Sequence, residues 1–325
     1  MSDTVFNPRL LQHPHGITAV DTEYLRPGHA AAHIIVDSGR AAFVDVGTHF
    51  SVPYLLAALR DRGIAPSQVD YLLITHVHLD HAGGAGELLA ALPQAVALLH
   101  PRGAPHMIDP TALIEGSKVV YGELFNTLYG TIVPMPASRV RQVADGERIT
   151  LGSRELLLLH TPGHALHHYA IVDEAHRSIF SGDVFGISYR ELDTPAGAFI
   201  IPTTTPTQFD PEQLVASVER LESYQPESIY LMHYSRVTDI PRLAAELKDQ
   251  IKELVRISLA ADGKPNPKEE IREGMRQMWR ERLAAHGSTM SEDEQRELLA
   301  GDLELNSQGL VVWLERRRKN LARGK

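Results

Sequence analysis

Residues 75–84 (THVHLDHAGG) contain four side chains that commonly bind metal ions: His76, His78, Asp80 and His81. The stretch follows an apolar, strand-like run over residues 69–74. Alternate side chains of an extended chain share a face, so His76 and His78 can bind one ion together. Glycines then let the chain turn, which can direct Asp80 and His81 toward a second ion. Imidazole and carboxylate ligands together suit zinc, iron or manganese.

Three further residues of metal-binding type lie downstream, and each follows a short apolar segment: His164, Asp183 and His233. A Pro-Gly turn precedes His164, and a glycine precedes Asp183. A metal site at one edge of a β-sheet needs ligands at several strand ends, so the repeated arrangement favours one shared site. Alone, His233 is more typical of a hydrogen-bonded core residue, but the whole set indicates metal binding.

The order of these seven residues resembles the metallo-β-lactamase-fold hydrolase superfamily over about residues 15–240. Segments 100–106, 161–168 and 231–234 further resemble a generic bacterial and archaeal branch of metallo-hydrolases. The resemblance implies an α/β fold, a four-layer αββα sandwich of two sheets packed face to face with helices outside. We expect a catalytic domain over residues 1–240 and a C-terminal helical appendage over residues 241–325.

The resemblance also implies a binuclear site. The first ion would be held by His76, His78 and His164, and the second by Asp80, His81 and His233. Asp183 would bridge the two ions, so Asp80 and Asp183 are the candidate catalytic carboxylates. Two zinc ions are expected, with iron or manganese as other possibilities. Asp45 matches a strand-end aspartate that braces the metal loop, which ligand histidines generally need for their second ring nitrogen.

Two cations that share a water would lower its pKa enough to yield hydroxide near neutrality. The implied reaction is hydrolysis of a small ester, thioester, lactone or phosphoester. Two other functions stay open. An iron persulfide dioxygenase keeps much of this pattern around one iron, and a non-catalytic ligand-sensing protein could use the same fold. Metal analysis separates the first two, since two zinc ions indicate the hydrolase and one iron the dioxygenase.

Departures from better-known relatives restrict what can be transferred. The chain has no cysteine, so it lacks the cysteine ligand of the commonest zinc β-lactamases, and Asp183 stands in that place. Many lactonases of this fold place a tyrosine where this chain has Gly186. Other candidate substrate contacts are Tyr121, Tyr189, His100, Arg102 and His168. A structural role is favoured for His168, whereas loop bracing and anion binding are equally supported for His100 and Arg102.

The bulk composition is that of a globular enzyme of 325 residues. A net charge of −9 argues against nucleic acid as a partner. No segment approaches the roughly 20 apolar residues of a membrane span, and residues 1–9 lack the features of a signal peptide. A cytoplasmic protein with a small-molecule substrate is therefore expected.

Two other segments carry predictions. Residues 101–140 read as a loop-rich insertion that covers the site and determines substrate selectivity. In the C-terminal region, an apolar stripe and an apolar run must be buried against something: Ile271, Met275, Met278 and Trp279, then residues 311–314. They predict a homodimer, with packing on the protein's own catalytic domain as the alternative.

Overall fold

The structure, a computed structural model, describes residues 6–204, 206 and 208–323. Part of the segment tested above for a signal peptide, residues 1–5, lies outside the described residues. The chain divides into two compact units. Unit 1 comprises Met1–His160, His167–Gly182 and Pro226–Arg236, and unit 2 comprises Thr161–Leu166, Asp183–Gln225 and Val237–Lys325. The boundary predicted near residue 240 lies close to the start of the last segment of unit 2 and stays a prediction.

The first sheet has seven strands in chain order: β1 Leu10–Gln12, β2 Ile17–Asp21, β3 Ala31–Asp37, β4 Arg40–Val44, β5 Val69–Leu73, β6 Val96–Leu99 and β7 Val140–Gln142. Strands β1 to β4 pair antiparallel through short connections, whereas β4 to β7 pair parallel. Parallel neighbours require long crossovers. These contain helices α1 Val52–Asp61, α2 Leu79–Ala82, α3 Ala85–Ala91, α4 Ala104–Ile108, α5 Thr111–Tyr121 and α6 Phe125–Tyr129.

The second sheet has six strands: β8 Glu147–Leu151, β9 Arg154–His160, β10 Tyr169–Asp173, β11 Ser178–Gly182, β12 Ser228–Leu231 and β13 Ser235–Val237. Their spatial order is β13-β12-β11-β10-β9-β8. The β11–β12 pair is parallel, and β8 to β11 pair antiparallel.

The core of unit 1 lies on both faces of the first sheet. One face packs against the second sheet, through residues such as Leu73 and Leu98 against Leu158 and Phe180. The other face packs against helices α1 and α3. Strands β2 and β4 are buried on both sides, so their apolar residues do not alternate with exposed polar ones.

Unit 2 contains helices α7 Pro211–Glu222, α8 Ile240–Ala261, α9 Pro267–Ala285, α10 Glu292–Leu298 and α11 Ala300–Ala322. The apolar stripe of α9 is buried within this unit, and the Trp279 indole N–H donates to Gln250 on α8 at 3.2 Å. Because this stripe is already covered, the structure gives no support to the predicted homodimer. On α8, Ile257 is buried, whereas Leu259 is 40% exposed.

The segment over residues 101–140 is more helical than predicted. Gly122 and Gly130, with φ of 55° and 65°, end α5 and α6. Such positive φ angles suit glycine and interrupt the helical period, so the sequence pattern looked like loop. Among the described residues, no helix is both long and apolar enough to cross a membrane.

Two glycines inside helices of unit 1 allow a matched test of packing. A Cβ atom added at Gly86 in α3 would lie 1.9 Å from the Val133 carbonyl oxygen, whereas one added at Gly116 in α5 would meet nothing within 4 Å. We expect Gly86→Ala to lower the free energy of unfolding by about 1–3 kcal/mol because of overpacking. Gly116→Ala should raise it by roughly 0.5–1 kcal/mol, since alanine loses less chain entropy in a helix. Urea denaturation measures both, and equal effects would contradict this description of α3.

Candidate metal centre

The connection after β5 carries the first four candidate ligands. His76 and His78 lie just beyond the strand, where His78 precedes α2, and Asp80 and His81 belong to that short helix. The His76 Nε2 and His78 Nδ1 atoms are 2.8 Å apart. The two rings therefore direct one nitrogen each toward a common point.

A second group in unit 1 combines this connection with the end of β12. Asp80, His81 and His233 each offer one ligand atom, and these atoms lie within 4.8 Å of one another. The Asp80 Oδ2 atom is 3.3 Å from His233 Nε2 and 3.9 Å from His81 Nε2. His81 is fully buried and His233 nearly so. Two imidazoles and a carboxylate thus meet in a largely desolvated place.

Asp45, directly after β4, has contacts expected of a bracing carboxylate. It accepts hydrogen bonds from the Thr75 backbone N–H at 2.8 Å and from the Thr75 hydroxyl at 2.8 and 3.0 Å. Its Oδ2 atom is also 2.8 Å from His81 Nδ1. A carboxylate can only accept there, so His81 donates from Nδ1 and keeps a lone pair on Nε2.

Two other histidines of unit 1 are oriented in the same way. His233 Nδ1 donates to the His29 backbone carbonyl at 2.9 Å. His76 Nδ1 is 3.1 Å from the Thr75 hydroxyl oxygen, whose own proton is given to Asp45. Both histidines therefore present Nε2 with its lone pair, which is the form that binds a metal ion.

Unit 2 holds the remaining two candidate ligands. His164 Nε2 is 3.5 Å from Asp183 Oδ2. The Thr203 hydroxyl donates to the Asp183 backbone carbonyl at 3.2 Å and is 2.7 Å from His164 Nδ1. Since its only proton is used, this hydroxyl accepts from His164 Nδ1–H, which leaves Nε2 as the ligand atom. The Pro-Gly turn is required here, because a Cβ at Gly163 would lie 2.2 Å from the Leu214 nitrogen.

The donor sets fit a divalent transition metal. Imidazole nitrogens with carboxylate oxygens are ligands of zinc, iron and manganese, and carboxylate–histidine pairs such as Asp45–His81 commonly orient them. The residues described would therefore accept such an ion in the Asp80, His81 and His233 group.

Two of the candidate substrate contacts, His100 and Tyr189, interact with other residues of their own units. His100 Nδ1 accepts from the Arg102 backbone N–H at 3.0 Å, and its ring lies 4.1 Å from that of His160. Burial, followed by the neighbouring His160 and Arg102 charges, lowers the pKa of His100 to about 4. These contacts are those of a loop brace. The Tyr189 hydroxyl donates to Asp302 on α11 at 3.3 Å, within unit 2.

His168 is fully buried and packs tightly within unit 1. A Cβ at Gly182 would lie 2.6 Å from its Nε2 atom, so the close approach of this ring needs the glycine. The ring centroid of His168 is 5.0 Å from that of His76. The structural role favoured for His168 stays a prediction.

Several residues at the site escaped the sequence analysis. His167 lies 5.7 Å from His78 between ring centroids and accepts from the Val77 backbone N–H at 3.4 Å. Burial, followed by neighbouring histidines, lowers the pKa of His167 to about 3. His29 and Thr203 act through a carbonyl and a hydroxyl far away in sequence. No motif signals such contacts, because only folding brings the partners together.

The comparison with protein families gives one decisive match. Residues 25–233 match the model described as the metallo-beta-lactamase superfamily. This span covers well over half of the chain. The chain belongs to the metallo-β-lactamase superfamily.

Among curated proteins, the chain is similar to the metallo-beta-lactamase fold-containing protein ST1585 of Sulfurisphaera tokodaii. The two are 26% identical over 255 residues, which is 77% of this chain and 88% of that protein. The bovine acyl-coenzyme A thioesterase MBLAC2 is 27% identical over 188 residues, 52% of this chain and 63% of its own length. A hydroxyacylglutathione hydrolase of Xanthomonas campestris pv. campestris (strain B100) is 28% identical over 186 residues, 57% of this chain and 54% of its own.

The solved structure of an archaeal superfamily protein, ST1585 from Sulfolobus tokodaii, is similar with a TM-score of 0.65 and 22% identity. The match covers 92% of this chain and 99% of that one. The fold is thus the predicted four-layer αββα sandwich with a C-terminal helical appendage. The relatives of this chain in the superfamily include hydrolases, which supports a hydrolase in general terms. The described residues include a candidate metal-binding His/Asp cluster.

Asp45→Asn tests the bracing contact. The amide cannot serve both the Thr75 donors and His81 Nδ1, so the ring loses its fixed orientation. We expect zinc affinity to fall about 10–100-fold, measured on metal-free protein by competition with a chelator. Asp37→Asn is the matched control, because Asp37 is a half-buried strand-end carboxylate that accepts from Ser153. Equal zinc affinity of the Asp45 variant and the control variant would show that Asp45 does not brace a ligand.

Proposed function

We propose that this protein is a binuclear metallo-hydrolase that cleaves a small ester, thioester, lactone or phosphoester. The observation that carries the proposal is the orientation of the candidate ligand histidines. His76, His81 and His233 in unit 1 and His164 in unit 2 each have Nδ1 engaged, which leaves Nε2 to bind a metal ion. A chance cluster of histidines has no reason to share this arrangement.

Seven residues are proposed as ligands. The first ion would be held by His76, His78 and His164, and the second by Asp80, His81 and His233. Asp183 would bridge the two ions. The proposal is supported by the superfamily order of these residues and by the groupings within each unit: the His76–His78 pair, the Asp80 group and the His164–Asp183 pair.

Bound there, two zinc ions, or iron or manganese, would supply an activated water and Lewis acidity toward the substrate. The protein's own residues position the reaction. Asp80 and Asp183, the proposed catalytic carboxylates, would orient the attacking water by accepting its hydrogen bonds. Asp45, the His29 carbonyl and Thr203 keep the ligand rings in place. Small rotations of these rings are resisted because their second nitrogens are tied to buried partners.

The substrate class follows from the relatives only in part. One of them is named an acyl-coenzyme A thioesterase and another a hydroxyacylglutathione hydrolase. Acyl thioesters are therefore the first class to test, followed by esters and lactones. A cytoplasmic location, and the lack of nucleic-acid and membrane partners, stay predictions from composition.

The metal content tests the ligand assignment. Purified protein should contain two transition-metal ions per chain, measured by inductively coupled plasma mass spectrometry. His76→Ala should remove at least one ion and abolish turnover. Asp183→Asn should lower the occupancy of both ions, since a bridging carboxylate serves two ions. His176→Ala, which changes a histidine paired with Asp173, is the control. Two ions retained in His76→Ala would refute the assignment, and one iron per wild-type chain would favour the dioxygenase.

A substrate panel tests the reaction class. Thioesters, esters, lactones, phosphodiesters and penicillins are compared with the zinc-loaded enzyme. We expect turnover of at least one acyl substrate and negligible β-lactamase activity, since Asp183 occupies the place of the cysteine ligand. Efficient penicillin hydrolysis, with kcat/KM of about 10⁴ M⁻¹s⁻¹ or more, would overturn the second expectation.

A further inference from the structure

Three tyrosines of unit 1 lie against the connection that carries Asp80. Tyr24 belongs to the connection between β2 and β3, Tyr121 ends α5 and Tyr129 ends α6. Their rings pack in an apolar cluster around Leu79, the residue before Asp80. The Tyr24 and Tyr129 rings are stacked at 6.0 Å, and the Tyr121 and Tyr129 rings meet edge to face at 5.1 Å. Three phenol groups are thus gathered beside one proposed ligand.

Tyr129 lies in the middle of the cluster, in contact with both other tyrosines. The Tyr24 hydroxyl donates to the Tyr129 hydroxyl at 3.2 Å. Each phenol has a single proton, and this bond uses that of Tyr24. The Tyr121 proton takes no part in this bond and can be donated to another molecule.

Exposure distinguishes Tyr129 from the other two tyrosines. Tyr129 is only 2% exposed, whereas Tyr24 and Tyr121 are half-buried. A bound molecule can therefore reach Tyr24 or Tyr121 but not Tyr129. Of these two, Tyr121 has the proton that the Tyr24–Tyr129 bond does not use.

The three tyrosine hydroxyls stay protonated at neutral pH. Burial, followed by the negative charge of Asp80, raises the pKa of Tyr121 to about 12. The same two causes raise the pKa of Tyr24. Burial is also the main cause that raises the pKa of Tyr129, ahead of the two neighbouring phenols and Asp80. The phenols are therefore donors, and the charge of Asp80 is close enough to act on all three.

We propose that Tyr121 donates a hydrogen bond to an acyl substrate beside Asp80, and that Tyr129 and Tyr24 are positioning residues that hold the Tyr121 ring in place. This rests on the hydrolase function proposed above. When water adds to an ester or thioester carbonyl, negative charge develops on the carbonyl oxygen. A donor that is already held in place stabilises this charge without reorganisation. The surrounding rings suit an apolar acyl group next to that oxygen.

The test compares tyrosine-to-phenylalanine variants of the zinc-loaded enzyme with p-nitrophenyl butyrate. Tyr121→Phe should lower kcat about 100-fold with little change in KM, because a donor to developing charge acts mainly in the transition state. Tyr129→Phe and Tyr24→Phe should have smaller effects, in that order. Tyr54→Phe is the control, since Tyr54 is a half-buried tyrosine of α1 that does not belong to the cluster around Leu79. Zinc content and melting temperature should be unchanged in all four variants.

A double variant separates positioning from a structural role. If Tyr129 acts through Tyr121, then Tyr121→Phe/Tyr129→Phe should be no slower than Tyr121→Phe alone. Multiplicative losses in the double variant would show that Tyr129 does not act through Tyr121. A Tyr121→Phe enzyme within twofold of wild type would overturn the whole inference.

Binding of butyrate, measured by calorimetry, distinguishes failure of this inference from failure of the proposed function. Tyr121→Phe should bind butyrate at least about tenfold more weakly than wild type and the Tyr54→Phe control. A wild type that hydrolyses no acyl substrate but shows this difference would refute the proposed function and support Tyr121 as a donor. Equal butyrate affinity of wild type and Tyr121→Phe would refute the donor role, whatever the turnover.

Discussion

The buried carboxylate of Asp45 is the contact on which the rest of unit 1 depends. Asp45 directly follows β4, and it accepts from Thr75 just beyond β5 and from His81 in α2. Asp45 has a φ of 52°, a left-handed conformation that aspartate tolerates better than most residues. One side chain therefore joins two strand ends to the ligand-bearing connection. Buried at 2% exposure, the carboxylate is stabilised by these donors, so the strands, the turn and the His81 ring orientation are mutually dependent.

The sheet architecture explains why the ligands of unit 1 come together. Strands β4, β5 and β6 run parallel, so their carboxyl ends lie at one edge of the first sheet. Asp45 and the 75–84 segment follow two of these ends, and His233 follows β12 of the second sheet, which packs face to face with the first. The glycines after His81 then allow helix α3 to begin close to the connection that follows β4. A Cβ at Gly84 would lie 2.5 Å from the Thr48 carbonyl oxygen, which shows how little room the turn leaves.

The helical segment α4–α6 contributes Tyr121 and Tyr129 to the cluster around Leu79. The candidate ligands of unit 1, in contrast, follow strands of the two sheets. The segment over residues 101–140 is helical rather than loop-rich, and its covering of the site stays a prediction. The C-terminal helices, in contrast, bury the α9 stripe within unit 2. An amphipathic stripe shows that a helix is packed, but not which surface it packs on.

The amino-acid sequence by itself determined the superfamily, the sandwich fold and the grouping of ligand-type residues, because closely spaced ligands and apolar strands are local patterns. His76, His78, Asp80 and His81 could be read from six consecutive positions. Only the tertiary structure decided how each imidazole is oriented. The His29 carbonyl meets His233 across 204 positions, and the Tyr24 hydroxyl meets that of Tyr129 across 105. Such contacts depend on strand order and on chain packing between distant segments, so no residue type or spacing could have predicted them.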